Sequence, residues 1–106
     1  MTKEERISWL KTCTARQRKE YYQAILMAGC AACGAPYRSE GPNRTTVHHC
    51  YGHGFPAKRD HRPVVGLCAF TCHQNGPDAI HSGKRSFEDR WGTQQELLKR
   101  VEQRVD

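Results

Sequence analysis

The chain has 106 residues, with 17 Lys and Arg against 11 Asp and Glu, a formal net charge of +6 and a pI near 9.2. That length suits one small core, and a mean hydropathy of −0.83 with 37% apolar residues leaves the core lean, so a metal or disulfide staple is expected. No apolar run approaches membrane length and the charged start MTKEERISWLK lacks a secretory h-region, so a cytoplasmic protein with reduced thiols is expected, and six Cys with six His read as metal ligands.

Residues 1–28 read as two helices forming a cover. Thr2-Lys3-Glu4-Glu5 and Thr14-Ala15-Arg16-Gln17 both fit a capping box. Ile7, Leu10 and Trp9 would be buried on the first helix, and Tyr21, Tyr22, Ile25 and Leu26 on the second, with Gly29 ending it. Either this is a plain helical hairpin covering the metal core, or Lys11, Arg16, Arg18 and Lys19 make it a phosphate-facing surface. Residues 29–83 carry all six His and every Cys except Cys13. Strands are expected at Thr45-Thr46-Val47 and Val64-Val65-Gly66-Leu67, then a short helix from Ala69 to Asn75 stopped by Gly76-Pro77. In residues 84–106, Ser86 is expected to cap a short helix ending near Gly92, and Thr93 a second with Leu97, Leu98, Val101 and Val105 on one face. Phe87 and Trp91 read as core.

The chemistry lies in the middle segment. Cys30-Ala31-Ala32-Cys33-Gly34 has the form of a zinc knuckle, and Cys68 and Cys72, four apart at the start of the expected helix, can meet the same ion. A four-Cys structural zinc site from Cys30, Cys33, Cys68 and Cys72 follows, with Cys50 either a substitute ligand or a small buried residue. His48 and His49 are adjacent, and neighbours on a strand point to opposite faces, so both serve one site only where the strand ends. With His73 on the helix and a basic, Gly-rich loop between, the arrangement suits phosphodiester hydrolysis assisted by a divalent ion (Mg²⁺, Mn²⁺ or Zn²⁺). His53, Lys58, Arg59, Arg62, Lys84 and Arg85 would line the nucleic-acid path.

The framework CxxC…His-His…LC-x-x-x-CH resembles the zinc-stapled form of the HNH, or ββα-metal, endonucleases. The longer stretch from Cys30, including VHHCYGHG, GLCAFTCHQNGPDAIHSGKRSFEDRWG and TQQELL, is similar to the phage Ref-like recombination-enhancement nucleases over roughly residues 28–100. The resemblance implies a small α+β fold: a zinc-stapled ββα-metal core over 29–83, flanked by helices at 1–28 and 84–106, in one nuclease domain. It implies His49 as the general base, His48 and His73 as ligands of the catalytic metal, and an orienting residue for which His61 or Asp60 is available. Relatives often carry another ligand four residues after the helix His; here that position is Pro77, so His81 serves only if Asp78-Ala79-Ile80 folds back. DNA is the implied partner, with the RecA filament directing the cut, and the protein is expected to be a phage or prophage monomer. The alternatives are a zinc-stabilised nucleic-acid-binding module without catalysis, or a host-defence inhibitor on a nuclease scaffold.

Overall fold

The protein is described here by a computed structural model over residues 1–105. It is a small α+β structure in which helices surround a two-stranded antiparallel sheet. The helices α1 (Lys3–Thr12) and α2 (Ala15–Met27) begin on the two capping boxes. Thr2 Oγ1 accepts from the Glu5 amide at 3.2 Å while Glu5 Oε1 accepts from the Thr2 amide at 2.8 Å, and Thr14 and Gln17 repeat the exchange at 3.1 and 2.8 Å. Arg18 donates to Leu10 O at 2.8 Å, which satisfies a carbonyl near the end of α1 and ties the two helices together. Arg16 forms an exposed ion pair with Glu20. Gly29, at φ +82°, ends α2, and a Cβ there would lie 2.5 Å from Ala35 O.

Strand β1 (Thr45–His49) pairs with β2 (Val64–Cys68) in the register Thr45↔Cys68 to His49↔Val64. Both expected strands are present, and β1 runs on through the two histidines. Gly66 lets the cysteine knuckle lie directly on β2: Ala31 donates to Gly66 O at 2.8 Å, and a Cβ on Gly66 would meet Gly29 O at 2.5 Å. The expected short helix after β2 is instead a wider, π-helical turn, Ala69–Gln74. Asn75 and Gly76 both donate to Phe70 O, at 3.2 and 2.8 Å, and Asn43 Oδ1 accepts from the amides of Phe70 and Thr71 at the turn's start.

The last helices are α3 (Lys84–Trp91) and α4 (Gln94–Val105). Ser86 does not cap α3. The chain turns through residues 79–83, Gly83 donates to Ala79 O at 2.7 Å and accepts from Phe87 at 2.8 Å, so the helix starts earlier with Gly83 as its cap. Thr93 does cap α4, exchanging hydrogen bonds with Glu96. Leu10, Ile25, Val64, Val65, Leu67, Ile80, Phe87, Leu97, Leu98 and Val101 form the buried core, with Trp91 packed at its edge. No helix of the described residues is long and apolar enough to cross a membrane.

A buried ion pair joins the first helix to the last. Arg6 donates to both carboxylate oxygens of Glu102, at 2.7 and 2.9 Å, and its guanidinium lies over the rings of Trp9 and Tyr21. Arg6 is 6% and Glu102 3% exposed. Glu102→Ala removes a buried carboxylate that holds the guanidinium through two hydrogen bonds and is expected to destabilise the fold by up to about 3–5 kcal/mol. Urea unfolding measures the loss; a change below the effect of an ordinary surface substitution would show that the pair is dispensable.

Candidate functional site

Two groups of ligating side chains are formed among the described residues. In the first, the sulfurs of Cys30, Cys33, Cys68 and Cys72 lie within 4.8 Å of one another, drawn from the knuckle after α2, the end of β2 and the π-helical turn. Cys33 Sγ and Cys68 Sγ are 3.6 Å apart, close to the roughly 3.8 Å edge of a tetrahedron with zinc–sulfur bonds of about 2.3 Å. None of the six cysteines is in a disulfide. The electrostatics also suit a cation. The Cys30 thiol is pushed down to about 4, first by the hydrogen bond from Cys72 and then by the amides of Cys33, Cys68 and Ala32. Burial and the Cys30 thiolate push Cys68 up to about 12, and the hydrogen bond to Cys30 raises Cys72. Among Cys30, Cys68 and Cys72 one thiolate therefore opposes the next, a repulsion that a bound divalent ion would relieve. Cys50 stays outside this group, fully buried, its thiol pushed up to about 12 by burial.

In the second group, His48, His73 and His81 bring a nitrogen each within 4.8 Å of the others. The ring centres are 5.1 Å apart for His48–His73, 5.1 Å for His48–His81 and 4.8 Å for His73–His81. His81 arrives by the fold-back that its position requires: Ile80 donates to Cys72 O at 2.9 Å and His81 to His73 O at 3.1 Å. Its ring stacks on Tyr51 at 5.8 Å and 11°. Burial lowers His48 to about 3 and His73 to about 4, with the neighbouring imidazoles adding to the effect. Both rings are thus held neutral, the form in which imidazole binds a metal.

His49 leaves β1 on the side of α2, where its Nε2 lies 3.2 Å from the Tyr22 hydroxyl and the rings meet edge to face at 5.5 Å. Because β1 ends at His49, this ring and His48 line the same cleft of about 630 Å³, together with His73, His81, Tyr51, Arg59 and Arg62. Burial and then the Arg59 charge lower His49 to about 4, while Asp60 opposes that shift. His61 is half-buried at the end of a 3₁₀ turn, Arg59–His61, whose first two residues supply those charges.

The expected phosphate-contacting residues divide. Arg59 is exposed at the cleft, but Arg62 donates to Pro56 O and Ala57 O at 2.8 and 2.7 Å and so shapes the loop that carries it. Lys84 and His53 line an adjoining cleft of about 250 Å³, separated from the first by Tyr51, over whose ring Lys84 Nζ sits at 4.9 Å. Lys58 and Arg85 are exposed.

Three contacts at the site come from residues whose roles the sequence reading assigned elsewhere or not at all. Tyr22 reads as part of a buried stripe, Thr46 as a strand former, and Gln94 as part of a helix cap. Thr46 carried a usable signal, since residues two apart on a strand share a face and His48 is two residues on. Tyr22 and Gln94 are brought in by tertiary packing alone.

No curated protein and no solved structure matches the chain. A family model described as "recombination enhancement, RecA-dependent nuclease" matches residues 13–106, a span that includes both ligand groups and His49. The chain belongs to the family of RecA-dependent recombination-enhancement nucleases.

Proposed function

We propose that the protein is an HNH-type DNA endonuclease whose 29–83 segment holds a structural zinc ion on Cys30, Cys33, Cys68 and Cys72 and a catalytic divalent ion on His48, His73 and His81. The observation that carries this is the convergence of three histidines in one cleft with a fourth, His49, beside them and outside the cluster. The ion would place positive charge against the scissile phosphate and the leaving 3′ oxygen. His49, neutral at physiological pH, takes a proton from the attacking water. The water oxygen joins phosphorus, the bond to the 3′ oxygen breaks, and protonation from solvent leaves 3′-hydroxyl and 5′-phosphate ends. Arg59, joined by Lys84 and His53 of the adjoining cleft and by the exposed Lys58 and Arg85, neutralises flanking phosphates, while Arg62 braces the loop. Since no base-reading element is evident among the described residues, strand choice comes from the partner, a RecA filament on single-stranded DNA.

Supercoiled plasmid incubated with Mg²⁺, Mn²⁺ or Zn²⁺, with and without RecA filaments, tests the reading. Nicked or linear product supports it. DNA retention on a gel without cutting under any of these conditions favours a binding module instead.

The hydrogen bond on His49 favours Tyr22 for the orienting role over His61 or Asp60. Tyr22→Phe is expected to lower the cleavage rate about tenfold, as the loss of a hydrogen bond of about 1 kcal/mol or slightly more dictates, with KM for DNA unchanged. His61→Ala is expected to leave the rate near wild type. The reverse ranking in a plasmid-cleavage time course would return the role to His61.

A further inference from the structure

We infer that Gln94 and Thr46 lock the two buried histidines of the cluster in opposite tautomers, so that His48 offers Nδ1 and His73 offers Nε2 to one metal ion. The inference rests on the reading of His48, His73 and His81 as a metal site and deepens it. It follows from an account of donors and acceptors, in which each hydrogen has one place to go.

Thr46 Oγ1 carries a single proton, which it donates to Leu67 O at 2.9 Å across the sheet. Its 2.8 Å contact with His73 Nδ1 must therefore be one in which the hydroxyl accepts, so Nδ1 bears the hydrogen. A neutral His73 then has its lone pair on Nε2. Gln94 is fixed just as firmly. Its Nε2 donates to Tyr51 O at 2.9 Å and its Oε1 accepts from the Tyr51 amide at 2.9 Å. Turning the side-chain amide over would set donor against donor and acceptor against acceptor, so the backbone of Tyr51 decides its orientation. Oε1 can only accept from His48 Nε2, 3.0 Å away, which puts the hydrogen on Nε2 and the lone pair on Nδ1.

Burial gives these bonds their strength, since His48 is 1%, Gln94 5% and His73 7% exposed, so water does not compete freely for the same positions. The arrangement also reaches the third histidine. Tyr51, whose backbone anchors Gln94, stacks its ring on His81. One glutamine at the first position of α4 thus orients one ligand directly and the platform of another. Partners of this kind set ring direction and tautomer at metal centres, and removing one typically weakens metal binding about 10–100-fold. Gln94 and Thr46 are positioning residues; neither is expected to touch the substrate.

Long-range ¹H–¹⁵N correlation spectra of the full chain, recorded with zinc at the cysteines and before the histidine cluster is loaded, read the tautomers directly. The expected result is Nε2–H for His48 and Nδ1–H for His73. Co²⁺ titration of the histidine cluster, followed by its visible absorption, is the second readout. Thr46→Val and Gln94→Leu are each expected to weaken Co²⁺ binding about 10–100-fold, and Thr46→Ser, which keeps the hydroxyl, to restore it. The opposite tautomer at either histidine, or unchanged Co²⁺ affinity in Thr46→Val, overturns the inference. None of these measurements uses DNA, so correct tautomers in a protein that cuts no DNA would overturn the nuclease reading alone.

Discussion

Replacing His49 with alanine is expected to lower the rate of plasmid cleavage about 10²–10⁴-fold, the range that a positioned general base contributes, while the metal content stays at the wild-type value. The prediction is sharp because the neighbouring residue is assigned the opposite behaviour. His48 belongs to the three-histidine cluster and is hydrogen-bonded to Gln94, whereas His49 leaves the strand toward Tyr22. His48→Ala is therefore expected to lose both activity and the ion at the histidine cluster. His49 is only half-buried and is not one of the buried core residues, so a large kinetic loss would not reflect unfolding. Metal analysis beside a cleavage time course separates the two variants. If His49→Ala cuts at close to the wild-type rate, the base lies elsewhere in the cleft; if it loses its ion along with activity, His49 is a ligand and the division of roles within the pair is wrong.

Most of the elements could be read from the chain because they are set by local chemistry. The Thr2–Glu5 and Thr14–Gln17 boxes, the β-branched runs and Gly29 each act over a few residues, and each produces the element it suggests. Cys30, Cys33, Cys68 and Cys72 were also legible as a group, since the spacing within each pair restricts how its sulfurs can meet. His81 was legible only as a condition, because its arrival depends on the backbone of Ile80 and His81 returning to Cys72 and His73. The start of α3 was misread for a related reason: Ser86 carries a capping signal, but the turn at 79–83 delivers the chain to the helix before that signal can act. Tyr22 and Gln94 lie beyond any local rule. They come from helices on either side of the 29–83 segment, and only the packing of α2 and α4 around the sheet brings them to His49 and His48. The flanking helices, which look like cover in the sequence, thus supply side chains that contact His49 and His48.

The division of labour between the two ligand groups predicts two ions with different consequences. Cys68→Ser is expected to abolish the cooperative thermal transition, whereas His73→Ala is expected to lose one equivalent of metal and keep that transition. The physical reason lies in what each group joins. The segment from 29 to 44 contains no helix or strand, and the knuckle holds its start against the end of β2 and the π-helical turn through Cys68 and Cys72. A structural zinc ion contributes about 10–16 kcal/mol of apparent binding free energy, as much as the whole net stability of a small domain, about 5–15 kcal/mol. With a core as lean as this one, losing that contribution leaves little to hold the segments together. The histidine cluster instead lines a cleft, and Thr46, Gln94 and Tyr51 give its rings contacts of their own. Thermal melts followed by circular dichroism, with zinc release measured by a colorimetric chelator, check both outcomes. A cooperative melt of Cys68→Ser at the wild-type temperature would mean that the thiols do not staple the fold. A total of one ion per chain, lost on substitution in either group, would mean that the two clusters serve a single centre.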